Sequence, residues 1–158
     1  MSFHDIAFER IGGGALPLAE FAGKPVLVVN TASQCGYTPQ YAGLEELWRR
    51  YGSKGAIVLG VPCNDFGGQE PYDEAAIQGF CTTKYGVDFP MTAKVRVIGA
   101  GAHPFYRRIA AELGEDAVPK WNFHKFLLGG DGELVESWPS RVDPLAPPVV
   151  QAIEAALK

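Results

Sequence analysis

Apolar residues recur along this chain in two rhythms. From Pro25 to Asn30 the run Val-Leu-Val-Val is unbroken and rich in β-branched residues, and it is bounded by Gly-Lys-Pro and a polar exit. That is the pattern of a strand buried on both faces. Ala56 to Val61 repeats it. Between the two, Tyr41, Leu44, Leu47, Trp48 and Tyr51 return every three or four positions. This predicts an amphipathic helix capped by Thr38, with Pro39 at its first position and Gly52 at its end. Strand, helix and strand joined in this way predict a right-handed parallel crossover.

Further along, Asp73 reads as the N-cap of a second helix, in which Ile77, Phe80 and Cys81 fall at i, i+3 and i+4 and Gly86 lies beyond the end. A third helix starts near Pro104, carries Tyr106, Ile109, Ala110 and Leu113 on one stripe, and stops at Gly114. Lys125 to Leu128 and Glu133 to Ser137 flank the turn Gly129-Gly-Asp-Gly132 as a hairpin, and Val149, Val150, Ile153 and Leu157 mark a last helix. The order is α/β. It predicts a mixed central sheet flanked by helices, resembling the thioredoxin-like arrangement with one helix inserted between its halves.

The chain has 158 residues, which predicts a single domain over 1–158. Its 47% hydrophobic and 20% charged residues suit a soluble globular protein. The net charge of −4, with the acids dispersed, argues against nucleic acid or an anionic membrane surface as partner. Met1 to Arg10 mixes His, Asp, Glu and Arg among apolar residues, unlike a secretory leader. The apolar runs are strand-length, short of the roughly 20 residues that span a bilayer. Cys35, Cys63 and Cys81 are odd in number and lack a CxxC pair, which argues against a disulfide framework and for a reduced, cytoplasmic setting. His4, His103 and His124 are scattered without ligand spacing, so neither a metal nor a cofactor is expected.

The chemistry gathers in three clusters. Cys35 sits between a buried strand and the first turn of a helix, where free N–H groups and the helix dipole favour a thiolate. The loop from Gly60 to Pro71 follows the second parallel strand and should open on the same sheet edge, so that Gln69 can donate its amide N–H to the sulfur. Trp121-Asn-Phe-His-Lys125 precedes the hairpin. The indole N–H of Trp121 and the amide of Asn122 are donors suited to an anion.

Together the segments Asn30-Thr-Ala-Ser-Gln-Cys-Gly-Tyr-Thr38, Val61-Pro-Cys-Asn-Asp-Phe-Gly-Gly-Gln-Glu-Pro71 and Trp121-Asn-Phe-His-Lys-Phe126 resemble, in order and spacing, the three signature segments of the glutathione peroxidase family. The resemblance implies that Cys35 is the peroxidatic residue and that Gln69, Trp121 and Asn122 are its hydrogen-bonding partners. Cysteine stands where some members carry selenocysteine. Asp65 stands where many relatives have Gln, and Thr31 where many have Val.

Reduction of a hydroperoxide would leave Cys35 as a sulfenic acid, which must meet a thiol before it is oxidised further. By pattern alone Cys81 is equally a core cysteine, and Cys63 reads as strand-end packing. The resemblance implies resolution by Cys81, through the segment Phe80-Cys81-Thr82, and reduction of the disulfide by thioredoxin. The segment 74–86, with Gly79 inside and Thr82 and Thr83 near its end, would then reorder on oxidation. Glutathione as reductant of a one-cysteine peroxidase, and a peroxide sensor that relays its disulfide to a partner protein, are the alternatives. A general thiol-disulfide oxidoreductase is disfavoured because Thr38 stands where a CxxC pair has its second sulfur. A monomer acting against oxidative stress is expected.

Overall fold

A computed structural model describes residues 2–158; Met1, which opens the segment weighed above as a leader, lies outside them. Two short strands, β1 (Ala7–Glu9) and β2 (Ala15–Pro17), pair antiparallel ahead of everything the periodicity marked. Each is three residues long and buries only its central side chain, too little alternation to stand out in the sequence.

The predicted crossover follows, as β3 (Val26–Thr31), α1 (Gln40–Tyr51) and β4 (Ile57–Pro62), with β3 and β4 parallel. Then come α2 (Glu74–Tyr85) and α3 (Pro104–Leu113), the hairpin β5 (Lys125–Leu128) and β6 (Leu134–Trp138), and α4 (Pro147–Ala156). The four-stranded sheet runs β4-β3-β5-β6, with β5 antiparallel to both neighbours. Its order and mixed direction match the thioredoxin-like expectation.

Alternation along the central strands divides the core into two layers. Val26, Val28, Leu59, Val61, Phe126 and Leu128 face one side, where Phe105, Tyr106 and Ile109 of α3 cover them. Leu27, Val29, Val58 and Leu127 face the other, beneath α1, α2 and α4. Cys63 belongs to the α3 layer, whereas Cys35 and Cys81 both belong to the opposite one. Among the described residues no helix is long and apolar enough to cross a membrane.

Candidate active site

Cys35 is buried in the loop that joins β3 to α1. Its N–H donates to Thr38 Oγ1 at 2.8 Å, and the Thr38 hydroxyl donates to the Ala32 carbonyl at 2.9 Å, so one side chain ties both ends of the loop. This corrects the expectation for Thr38. The helix begins at Gln40, Pro39 takes the capping position in helical conformation, and no side chain caps the end. Instead the N–H groups of Thr38, Gln40, Tyr41 and Ala42 are spent on carbonyls three residues back, which tightens the entrance into a 3₁₀-like turn. The N–H of Tyr37 is aimed at the Cys35 sulfur, 3.3 Å away. The donor offered to the sulfur thus comes from its own loop.

The loop after β4 lies alongside. Gly67 and Gly68 are both left-handed, a conformation that costs a residue with Cβ energy and glycine little. At Gly67 a Cβ would also press on the Trp121 ring, 3.2 Å away. The turn is closed by the Glu70 N–H on Asn64 Oδ1 at 2.8 Å and joined to the Cys35 loop twice, by Gln34 N–H on the Gln69 carbonyl at 3.0 Å and by Ser33 Oγ on Glu70 Oε2 at 2.7 Å.

Trp121, Asn122 and Phe123 are held to the end of β3 by Asn30. Its amide donates to the Trp121 carbonyl at 3.0 Å, its side-chain oxygen accepts from His124 N–H at 3.1 Å, and its own carbonyl accepts from Phe123 N–H. Phe123 has φ +65, a left-handed conformation that is strained for an aromatic residue and that these bonds enforce. The turn delivers Asn122 to Gln69. Asn122 Nδ2 donates to Gln69 Oε1 at 3.0 Å, which commits the Gln69 oxygen and leaves its Nε2 as the free, donating end. The half-buried Trp121 packs on Phe66 at a ring separation of 5.8 Å. Among the described residues no hydrogen bond joins Cys35 to Gln69, Trp121 or Asn122. Gln69 and Asn122 bond to each other, and the Trp121 carbonyl is held by Asn30.

Cys81 lies in the buried face of α2, and burial pushes its thiol up to about 11. Cys63, in the other layer, is pushed up to about 12 by the same cause and accepts the Asp65 N–H at 3.3 Å. Asp65 has a scaffold role: its carboxylate accepts the N–H groups of Val97 at 2.7 Å and Ile98 at 3.3 Å.

Three residues gained importance only in three dimensions. Asn30 had marked no more than a strand end. Lys125 had been the first residue of a strand. It is fully buried, and its ammonium donates to Gln40 Oε1 at 2.6 Å, the Phe123 carbonyl at 2.7 Å and the Ser140 carbonyl at 3.2 Å. Burial draws its pKa down to about 7, while three acceptors for three N–H bonds favour the charged form. His124 is buried too, its Nε2 unpartnered and its pKa lowered to about 4 by burial, so it is neutral at physiological pH. It lines a cavity of about 550 Å³ with Tyr37, Trp121, Lys120, Ser140 and Arg141. The Trp-Asn-Phe-His-Lys run was the available signal for the last two.

Known proteins resemble this chain over most of its length. The family model for glutathione peroxidase matches residues 3–110. The chain is 46% identical over 151 residues to the hydroperoxy fatty acid reductase gpx1 of Synechocystis sp., covering 90% of this chain and 89% of that one. It is 37% identical over 171 aligned positions to the thioredoxin/glutathione peroxidase BtuE of Escherichia coli, covering 94% and 93%. Among solved structures, the apo form of Trgpx superposes with a TM-score of 0.79 at 35% identity, covering 99% of this chain and 95% of that one.

Proposed function

The chain belongs to the glutathione peroxidase family and is a thiol peroxidase of thioredoxin fold, and from this we propose that it reduces hydrogen peroxide and organic or lipid hydroperoxides through Cys35, with Cys81 as resolving residue and thioredoxin as reductant. The Cys35 sulfur attacks one oxygen of ROOH, the O–O bond breaks, and the thiol proton leaves with the other oxygen as ROH. Cys35 becomes a sulfenic acid. Tyr37 N–H, the free Gln69 amide nitrogen, the Trp121 indole and Asn122 are the donors for the thiolate and for the charge that builds on the departing oxygen. The names of the relatives, a fatty-acid hydroperoxide reductase and a thioredoxin/glutathione peroxidase, favour these classes of substrate and reductant.

The observation that carries the choice of Cys81 is that it shares a core layer with Cys35, while Cys63 lies across the sheet. Cys81 displaces the sulfenic hydroxyl as water, and the disulfide is reopened by a dithiol protein. A direct S–S bond needs Cα atoms within about 7 Å, and the reading includes local unwinding of α2 around Cys81, which is now fully packed. The reading includes one domain over 1–158, a monomer and a cytoplasmic setting.

NADPH-coupled turnover with thioredoxin and its reductase, against glutathione and its reductase, tests the assignment. Cys35→Ser should abolish turnover with either reductant, and Cys81→Ser should abolish it with thioredoxin. Glutathione-driven turnover that survives Cys81→Ser would reassign Cys81 to the core. A protein that oxidises once but turns over with neither system would be a relay.

A further inference from the structure

Lys125 is a cation held by neutral groups. Its backbone is fixed in the middle of the sheet, opposite Val29 of β3 and Trp138 of β6, and its side chain is fully buried. The ammonium donates to Gln40 Oε1 at 2.6 Å, to the Phe123 carbonyl at 2.7 Å and to the Ser140 carbonyl at 3.2 Å. Gln40 closes the triangle by donating its own amide to the Ser140 carbonyl at 2.8 Å. Taking an ammonium out of water is costly, and an apolar side chain of similar length would fill the same space without that cost. What lysine adds here is three N–H bonds of fixed direction.

Two of its partners lead to the reacting atoms. Gln40 opens α1, and its N–H donates to the Tyr37 carbonyl at 2.8 Å, while the Tyr37 N–H is aimed at the Cys35 sulfur, 3.3 Å away. Phe123 follows Asn122, whose amide holds the Gln69 oxygen at 3.0 Å and leaves the Gln69 nitrogen free to donate. Phe123 is in the left-handed conformation, and the bond from Lys125 to its carbonyl is one of those that keep it there. One charge thus grips both the segment that carries the sulfur and the segment that carries the donors.

On the reading that Cys35 is the peroxidatic residue, we propose that Lys125 is a positioning residue for peroxide reduction: by fastening Phe123 and Gln40 to one rigid strand, it fixes the Asn122–Gln69 donor pair relative to the Cys35 sulfur. It acts through those two neighbours and touches neither peroxide nor sulfur. The donors matter when the O–O bond breaks, because charge then builds on the departing oxygen, and a donor displaced by about 1 Å loses most of its effect. Attack of the same sulfur on iodoacetamide expels iodide and needs no such donor. The two reactions therefore separate the placing of the donors from the readiness of the thiolate.

The test compares these reactions in reduced protein that circular dichroism shows to be folded. Oxidation of Cys35 by hydrogen peroxide is followed by stopped-flow tryptophan fluorescence, and its alkylation by iodoacetamide by mass spectrometry. Lys125→Met should slow the peroxide reaction about 10–100-fold and alkylation by less than about twofold, so that their ratio falls at least about fivefold. In an Asn122→Ala background the same substitution should change the ratio by less than about twofold, since the donor pair is already undone and Trp121 is held separately by Asn30. An unchanged ratio in Lys125→Met would overturn the proposal, because a packing role lowers stability and leaves the ratio alone. A full loss of ratio in the Asn122→Ala background would also overturn it, by showing that Lys125 does not act through the donor pair. If Lys125→Met does not fold, the half-buried Gln40 decides. Gln40→Leu should lower the ratio at least about threefold, and Gln40→Glu, which keeps the acceptor, should hold it within about twofold; equal ratios in the two would overturn the proposal. A parent whose ratio is no higher than that of free cysteine would overturn the assignment of Cys35 itself, and the role of Lys125 with it.

Discussion

The helices α1 and α2 are each 12 residues long and lie side by side over the same face of the sheet, yet they are held by opposite means. α1 has no side-chain cap at its N-terminus, and it buries Tyr41, Leu44, Glu45, Leu47 and Tyr51. α2 is well terminated: Asp73 accepts the Ala76 N–H at one end, and Gly86 closes the other in a left-handed conformation, donating to the carbonyls of Cys81 and Thr82. It buries only Ile77 and Cys81. Packing holds α1 and caps hold α2. A helix secured by its ends over a thin apolar face can unwind without dismantling the core, which is what resolution by Cys81 requires.

The largest test of this contrast is in the packing. Leu44→Ala should lower global stability by about 3 kcal/mol, measured by urea unfolding, because it opens a cavity in a fully packed layer. Ile77→Ala should instead raise amide exchange across 74–85 well above its effect on the global midpoint. Equal effects of the two substitutions by both measures would erase the distinction.

A smaller effect concerns pH. The Cys81 pKa is raised from the usual thiol value to about 11, so the folded protein keeps a proton that the open state gives up. Its contribution to stability is therefore fully present below about pH 9 and is lost as pH rises toward 11. The loss is about 3 kcal/mol at most by linkage. Parent and Cys81→Ala should show different slopes of stability against pH in that window, and parallel slopes would mean the thiol is not sequestered.

The smallest changes act on the helix itself. Gly79 is exposed, and a Cβ there would meet nothing within 4 Å. Gly79→Ala should stabilise α2 by about 0.5–1 kcal/mol and slow disulfide formation a few-fold. Asp73→Ala, by removing the cap, should cost about 1 kcal/mol and speed it. Stopped-flow tryptophan fluorescence after one equivalent of peroxide would follow both, and rates that move together in one direction would mean that unwinding does not limit the step.

Much of this was legible in the chain. Unbroken apolar runs marked β3 and β4, helical spacing marked α1, α3 and α4, the turn Gly129–Gly132 marked the β5–β6 hairpin, and Asp73 and Gly86 announced the ends of α2, because each signal lies within a few neighbouring residues. The three clusters around Cys35, Gln69 and Trp121 were visible as runs of unusual composition outside the strands. The pairing of β1 with β2 was not, since three-residue strands carry no period. Thr38 was misread as a cap: Ser and Thr satisfy nearby N–H groups in several turn types, and here Cys35 N–H, a loop residue's, took the hydroxyl.

What the sequence by itself determined is what local chemistry can dictate: which residues form helices and strands, which loop carries the thiol, and which side chains can donate hydrogen bonds. Only the tertiary structure decided who meets whom. It put Cys63 across the sheet from Cys35 and Cys81, turned the Gln69 oxygen to Asn122, and folded Asn30 and Lys125 into the supports of the site. Those meetings span residues far apart in the chain. They are set by the parity of side chains across a pleated sheet and by the need to pair or exclude every buried polar group, conditions that apply only once the layers have closed.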